Sequence, residues 1–68
     1  MDIKISVGKR VKYLRNKLGI SQEELADLVS LDRTYITSVE CGRRNISIIN
    51  IEKLAIALKV TLKEFFDF

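Results

Sequence analysis

Apolar residues return every three or four positions along almost the whole chain, and strict apolar–polar alternation is never sustained. This is the signature of amphipathic helices. Val7, Val11, Leu14 and Leu18 fall at i, i+4, i+7 and i+11, and Gly19 closes that first helix as a C′ residue. A second helix starts at Ser21, where Ser21 and Glu24 form a capping box and Leu25, Ala26 and Val29 turn inward. Asp32 caps a third, with Ile36 and Val39 inside and Gly42 as its stop. Ser47 opens a fourth, with Ile51, Leu54, Ala55 and Leu58 on one face. Thr61 and Glu64 form the capping box of a fifth.

Each of the four later helices has an apolar residue just before its cap and another five positions on: Ile20/Leu25, Leu31/Ile36, Ile46/Ile51 and Val60/Phe65. That is the spacing of a hydrophobic staple, which sets the angle at which the chain enters a helix. The predicted fold is all-α, one domain over residues 1–68, with five short helices and short connections.

Only Ser30 and Leu31 separate Val29 from the Asp32 cap, so helices two and three must cross steeply, as in a helix-turn-helix. Around helix three, at 100° per residue, Thr34, Thr37, Ser38 and Cys41 fall within roughly 50° of the pole opposite Ile36 and Val39. Arg33 and Tyr35 flank its first turn. Small hydroxyls with long donors at the amino end suit a helix that enters a major groove: small residues permit close approach, and amino-terminal side chains read base edges. Glu40 projects toward the core side, about 40° from Ile36.

Composition narrows the picture. The 68 residues include one cysteine, no histidine and no proline, so neither a disulfide within the chain nor a Cys/His zinc site is available to brace a small core. No apolar run reaches membrane-spanning length and no signal-peptide core follows Met1, which leads to the expectation of a soluble cytoplasmic protein. The net charge of +3 is unevenly placed. Residues 1–20 carry six bases against one acid, residues 21–40 five acids against Arg33, and residues 41–68 five bases against three acids. A basic end and a basic loop at Arg43–Arg44 are compatible with a polyanion partner. Lys9, Arg10 and Lys12 read equally as a phosphate patch or as a solvated face. No residue set supports catalysis: there is no Gly-rich phosphate loop and no nucleophile–base pair. No enzyme activity, cofactor or metal is expected.

The stretch "LRNKLGISQEELADLVSLDRTYITSVECGRRNISIINIEKLAIALKVTLKEFF" resembles the lambda-repressor-like (Cro/repressor, XRE) helix-turn-helix family over nearly the full chain. Within that family, "LDRTYITSVECGRRNIS" and the small size are most similar to controller proteins of restriction–modification systems. The resemblance implies a five-helix DNA-binding domain and a homodimer bound to a double-stranded operator. It also implies control of its own promoter and of a restriction–modification pair. Phage-type repressors and antitoxins are the related alternative, and a protein-interaction module that has lost DNA reading is the rival from another class. By resemblance, Gln22 contacts a phosphate, with the Ser21 cap beside it. Arg33, Thr34, Tyr35, Thr37 and Ser38 take base-reading or neighbouring positions. Arg43, Arg44 and Asn45 follow the backbone, with Arg44 also reaching a base. Arg15 and Glu40 match a structural ion pair. Two residues depart from the pattern: Ser30 stands where the turn often has Gly, and Cys41 where a larger polar residue is common.

Two surface features remain. Ile49 and Ile56 lie opposite the core stripe of helix four and, with Leu62, Phe66 and Phe68, exceed what a small core requires; they are the expected dimer seam. Glu23 and Asp27 share one face of helix two. They are either ordinary helix acids or, as in family members that activate transcription, an activation patch for an RNA polymerase sigma factor. Cys41 is read as a small filler rather than a redox sensor.

Overall fold

The computed structural model describes residues 2–68. Among them the chain forms five helices and no strand: α1 (Ile3–Leu18), α2 (Gln22–Val29), α3 (Arg33–Glu40), α4 (Ile48–Ala57) and α5 (Leu62–Phe65). The predicted caps are in place. Ser21 and Thr61 close reciprocal capping boxes with Glu24 and Glu64, and Asp32 and Ser47 accept from the backbone N–H groups of Thr34 and Asn50. Each such cap satisfies donors that the first helical turn leaves without partners. Asp2 adds a cap for α1, accepting from the Lys4 N–H.

α3 sits against both α1 and α2, α4 against α2, and α5 against α4. One core results. Val7, Val11 and Leu14 enter it from α1, Leu25, Ala26 and Val29 from α2, Ile36 and Val39 from α3, and Leu54 and Ala55 from α4. Leu58 and Phe65 complete it. Phe65 is fully enclosed although α5 is a single turn, because Val60 and the Thr61 cap fix where that turn begins. The upstream members of all four staple pairs, Ile20, Leu31, Ile46 and Val60, pack on this core. Leu18 does not. It is 38% exposed at the carboxyl end of α1, on the rim of a cleft with Leu58 and Val60.

Two arrangements were not legible in the pattern. Gly8, inside α1, is buried against α3: a Cβ there would overlap the Val39 carbonyl oxygen and lie 3.1 Å from that of Glu40. The absence of a side chain is what lets α1 and α3 approach backbone to backbone. Arg10, one of the three bases considered as a phosphate patch, instead donates to the carbonyl oxygens of Glu64 (2.6 Å) and Phe65 (3.3 Å). It thereby ties α1 to the last helix.

The α2–α3 turn is made without glycine. Ser30 takes a left-handed backbone, φ 56° and ψ 40°, and the chain closes through Ser30 N–H to Asp27 O and Leu31 N–H to Ala26 O. The turn keeps its left-handed shape, and Ser30, having a Cβ, carries a strain of about 1–2 kcal/mol there. After α3, Gly42 takes φ 74°, and Ile5 packs so close that a Cβ would meet it at 2.8 Å.

Candidate nucleic-acid interface

The candidate interface begins behind α3. Arg15 on α1 holds Glu40 with two donors, Nε to Oε2 at 2.7 Å and Nη2 to Oε1 at 3.0 Å, and its third nitrogen, Nη1, reaches the Ile20 carbonyl at 2.9 Å. The pair is largely out of water, with side-chain exposures of 11% and 3%. The Glu40 carboxylate, hydrogen-bonded to the guanidinium, raises the Arg15 pKa further above its usual value, against the opposing effect of burial. A planar guanidinium on a carboxylate is the strongest and most directional ion pair available to side chains.

Glu40 Oε1 also accepts from Gln22 Nε2 at 3.1 Å, and Gln22 Oε1 accepts from the Thr37 hydroxyl at 3.1 Å. The chain Arg15–Glu40–Gln22–Thr37 therefore links α1, the first residue of α2 and the middle of α3. The Thr37 hydroxyl has one proton, and the Arg33 carbonyl also lies 3.1 Å from it. Gln22, expected to face phosphate, has both ends of its amide engaged with protein. One Nε2 proton and its backbone N–H, at the amino end of α2 beside the Ser21 cap, remain for an outside acceptor.

Arg33, Thr34 and Cys41 are exposed, while Thr37 and Ser38 are half-buried. The Thr34 hydroxyl donates to Asp32 Oδ1 at 2.7 Å, so it offers lone pairs and a methyl group outward. That hydroxyl, then the Thr34 backbone N–H, holds the Asp32 carboxyl below its usual pKa. Asp32 thus stays ionised as a cap at the start of α3.

Tyr35, expected with Arg33 on the flank of the first turn as a long donor, turns inward instead. It is half-buried, packed on the core, and its hydroxyl accepts a 3.1 Å hydrogen bond from Asn50 Nδ2 in the first turn of α4. The Arg44 guanidinium lies over its ring, 4.5 Å from the centroid. Arg43, Arg44 and Asn45 are all exposed on the connection between α3 and α4. Asn50 was invisible to the sequence reading. Its only trace was a polar residue at the margin of the α4 core stripe, and its partner is 15 positions away.

The remaining expected residues divide. Glu23 and Asp27 are exposed on α2. Ile49 and Ile56 project from α4 opposite its buried face, 66% and 70% exposed. Ile56 borders a cleft with Leu28 and Lys53. Phe66 and Phe68 belong to other clefts: Phe66 borders Ile3, Ile46 and Ile51, and Phe68 borders Tyr13 and Arg10. Phe66 also meets Phe65 edge to face at 5.1 Å, and Leu62 is exposed. Among the described residues no cluster of His, Cys, Asp or Glu suits a metal ion, and no helix is long and apolar enough to cross a membrane.

The chain thus holds two helices joined by a three-residue turn, the second backed by a part-buried ion pair and flanked by a basic loop, and it matches a known family model. The helix-turn-helix model aligns with residues 11–65. The chain belongs to the helix-turn-helix family. It is 48% identical over 67 residues to the control protein C.MunI from Mycoplasma sp, covering 97% of this chain and 90% of that protein. The restriction–modification controller protein C.AhdI from Aeromonas hydrophila superposes with a TM-score of 0.89 at 48% identity, over 93% of this chain and 91% of that one. The controller protein C.Esp1396I, solved as a tetramer with its natural 35 base-pair operator, superposes with a TM-score of 0.90 at 34% identity, over 98% and 88%. This chain is a helix-turn-helix DNA-binding regulator of the kind represented by the restriction–modification controller proteins.

Proposed function

We propose that the protein is a homodimeric controller of a restriction–modification system, which binds a symmetric operator and regulates transcription from it. The supporting observation is how α3 is held. The Arg15–Glu40–Gln22–Thr37 chain fixes its inner side, and Arg33, Thr34 and Ser38 are left on its outer side with Arg44 alongside. In this reading Arg33 bonds bidentately to a guanine, and Thr34, Thr37 and Ser38 meet base edges or a thymine methyl. Tyr35 supports Arg44 at the groove edge. Ser21, Gln22, Arg43 and Asn45 set register on phosphates.

The Ile49/Ile56 face of α4 is the centre of the dimer seam. Each dimer reads two half-sites about one helical turn apart. Glu23 and Asp27 face away from the groove and present carboxylates to a basic surface of RNA polymerase sigma factor. Such a protein acts in the cytoplasm.

The deciding experiment is footprinting on the DNA upstream of the protein's own gene. Protection of a two-fold symmetric site, with weaker binding to random DNA of equal length, is expected. Equal affinity for both, or a single unrepeated half-site, would overturn the reading.

A further inference from the structure

Asn50 has no place in the readout described above, yet it makes the hydrogen bond that joins α4 to the α3 side of the interface. Its Nδ2 donates to the Tyr35 hydroxyl at 3.1 Å, and Arg44 lies over the Tyr35 ring at 4.5 Å from the centroid. Three elements therefore meet in one line: the first turn of α4, the first turn of α3 and the loop between them. Arg44 itself is exposed, and among the described residues its guanidinium makes no hydrogen bond. The contact that locates it is the Tyr35 ring beneath, which is held by the core on one side and by Asn50 at its hydroxyl.

We propose that Asn50 is a positioning residue for operator recognition: through Tyr35 it aims the Arg44 guanidinium at one base pair. The inference rests on the reading of Arg44 as a DNA contact. The physical argument is entropic. An arginine free in solvent loses several rotors when it binds, and a guanidinium already lying on an aromatic face loses fewer. Cation–π stacking leaves the five N–H donors in the guanidinium plane free to point past the ring edge toward an acceptor. The polarity of the Asn50 bond adds a second effect. Because the Tyr35 oxygen accepts from Asn50, its own proton is free to be donated outward. The platform thus presents one neutral donor beside one cationic fork.

Half-burial of both Tyr35 and Asn50 keeps the bond between them from being replaced at no cost by water. The charge on Arg44 is not neutralised by this arrangement, since neither the ring nor the amide is anionic. Long-range attraction to DNA is therefore retained while direction is gained.

The test separates positioning from structure and from the DNA reading itself. In the free protein, nitrogen-15 relaxation of the Arg44 Nε–Hε group reports its order. Asn50→Ala and Tyr35→Phe should both raise its mobility, and the double variant should be no more mobile than either. Unchanged relaxation in Asn50→Ala would overturn the positioning role whatever DNA does. On the footprinted operator, Asn50→Ala should weaken binding about five- to ten-fold, the lower range for one directed base contact. The loss should concentrate at the base pair that Arg44→Ala relaxes, and it should vanish in an Arg44→Ala background. Additive losses, or an equal loss on random DNA, would overturn it. If relaxation changes as expected but Arg44→Ala leaves operator binding intact, it is the assignment of Arg44 to DNA that fails, and the positioning role falls with it. Melting temperatures of each variant exclude unfolding as the cause.

Discussion

Glu40 is the last residue of α3, and Arg15 holds both of its carboxylate oxygens from the neighbouring helix, at 2.7 and 3.0 Å. The same carboxylate then anchors Gln22, so one part-buried charge organises three helices. Glu40→Ala leaves the Arg15 guanidinium desolvated and without a counter-charge, a change that costs about 3–5 kcal/mol. For a domain this small the melting temperature should fall by roughly 12 °C or more. Replacing both partners, Arg15→Met with Glu40→Leu, should recover much of the loss, because no charge is then left buried. Thermal unfolding followed by circular dichroism checks both. A Glu40→Ala protein as stable as the parent would show that water reaches the pair.

Gly8 makes opposite predictions from local and tertiary structure. Alanine is favoured over glycine by about 1 kcal/mol in a helix interior. A Cβ at Gly8 would overlap backbone oxygen of α3, which cannot move aside as a flexible side chain would. Forcing the helices apart costs about 1–3 kcal/mol. Gly8→Ala should therefore lower the denaturation midpoint. A raised midpoint would mean that α1 and α3 can separate at little cost.

Ser30 is the converse case. It is exposed in a left-handed backbone, and among the described residues its side chain makes no hydrogen bond. Ser30→Gly removes the Cβ strain at the expense of a more flexible unfolded chain, for a net gain of about 0.5–1 kcal/mol. The melting temperature should rise by a few degrees with operator affinity unchanged. A drop in affinity would show that Ser30 takes part in binding.

Two exposed caps add a pH-dependent contribution to stability. The Thr61 backbone N–H, then its hydroxyl, holds the Glu64 carboxyl below its usual pKa, and Thr34 does the same for Asp32. A carboxyl depressed in the folded state stabilises it at pH values above the unfolded pKa. That contribution fades as pH falls through the folded value. Stability should therefore be flat near neutrality and decline below about pH 4–5, the ordinary carboxyl range. Urea midpoints at neutral and acid pH measure this. Asp32→Asn with Glu64→Gln should flatten the decline, and an unaltered decline in that variant would place the titration elsewhere.

Arg33→Ala should cost about 1–3 kcal/mol on the operator and relax one base position. Arg43→Ala should instead weaken all sequences and lower the salt slope by about one. Filter binding on cognate and random DNA over a salt series distinguishes them. Equal losses on both DNAs for Arg33→Ala would remove it from base reading.

Ile49→Asp with Ile56→Asp is a cleaner probe of the proposed dimer seam than a change at Phe66. The two isoleucines are about two-thirds exposed, so the monomer fold does not need them, whereas Phe66 packs on Phe65. Sedimentation should give monomers at micromolar concentration. An intact dimer would move the seam off α4.

The sequence by itself determined the helices, their caps, the staples and the tight turn after Val29. These are decided within a few residues of each position, by hydrogen bonds between a cap and the next turn and by apolar spacing at the helical period. The family resemblance was legible there too, and the helix-turn-helix model matches residues 11–65. Tertiary structure decided what depends on partners far along the chain. Gly8 is required only because α3 lies against it, and Arg10 is spent on α5 carbonyls rather than left for phosphate. Gln22 is tied inward by Glu40 and Thr37. Tyr35 turns toward Asn50 and carries Arg44, since its hydroxyl and ring find partners there that the period of one helix cannot reveal.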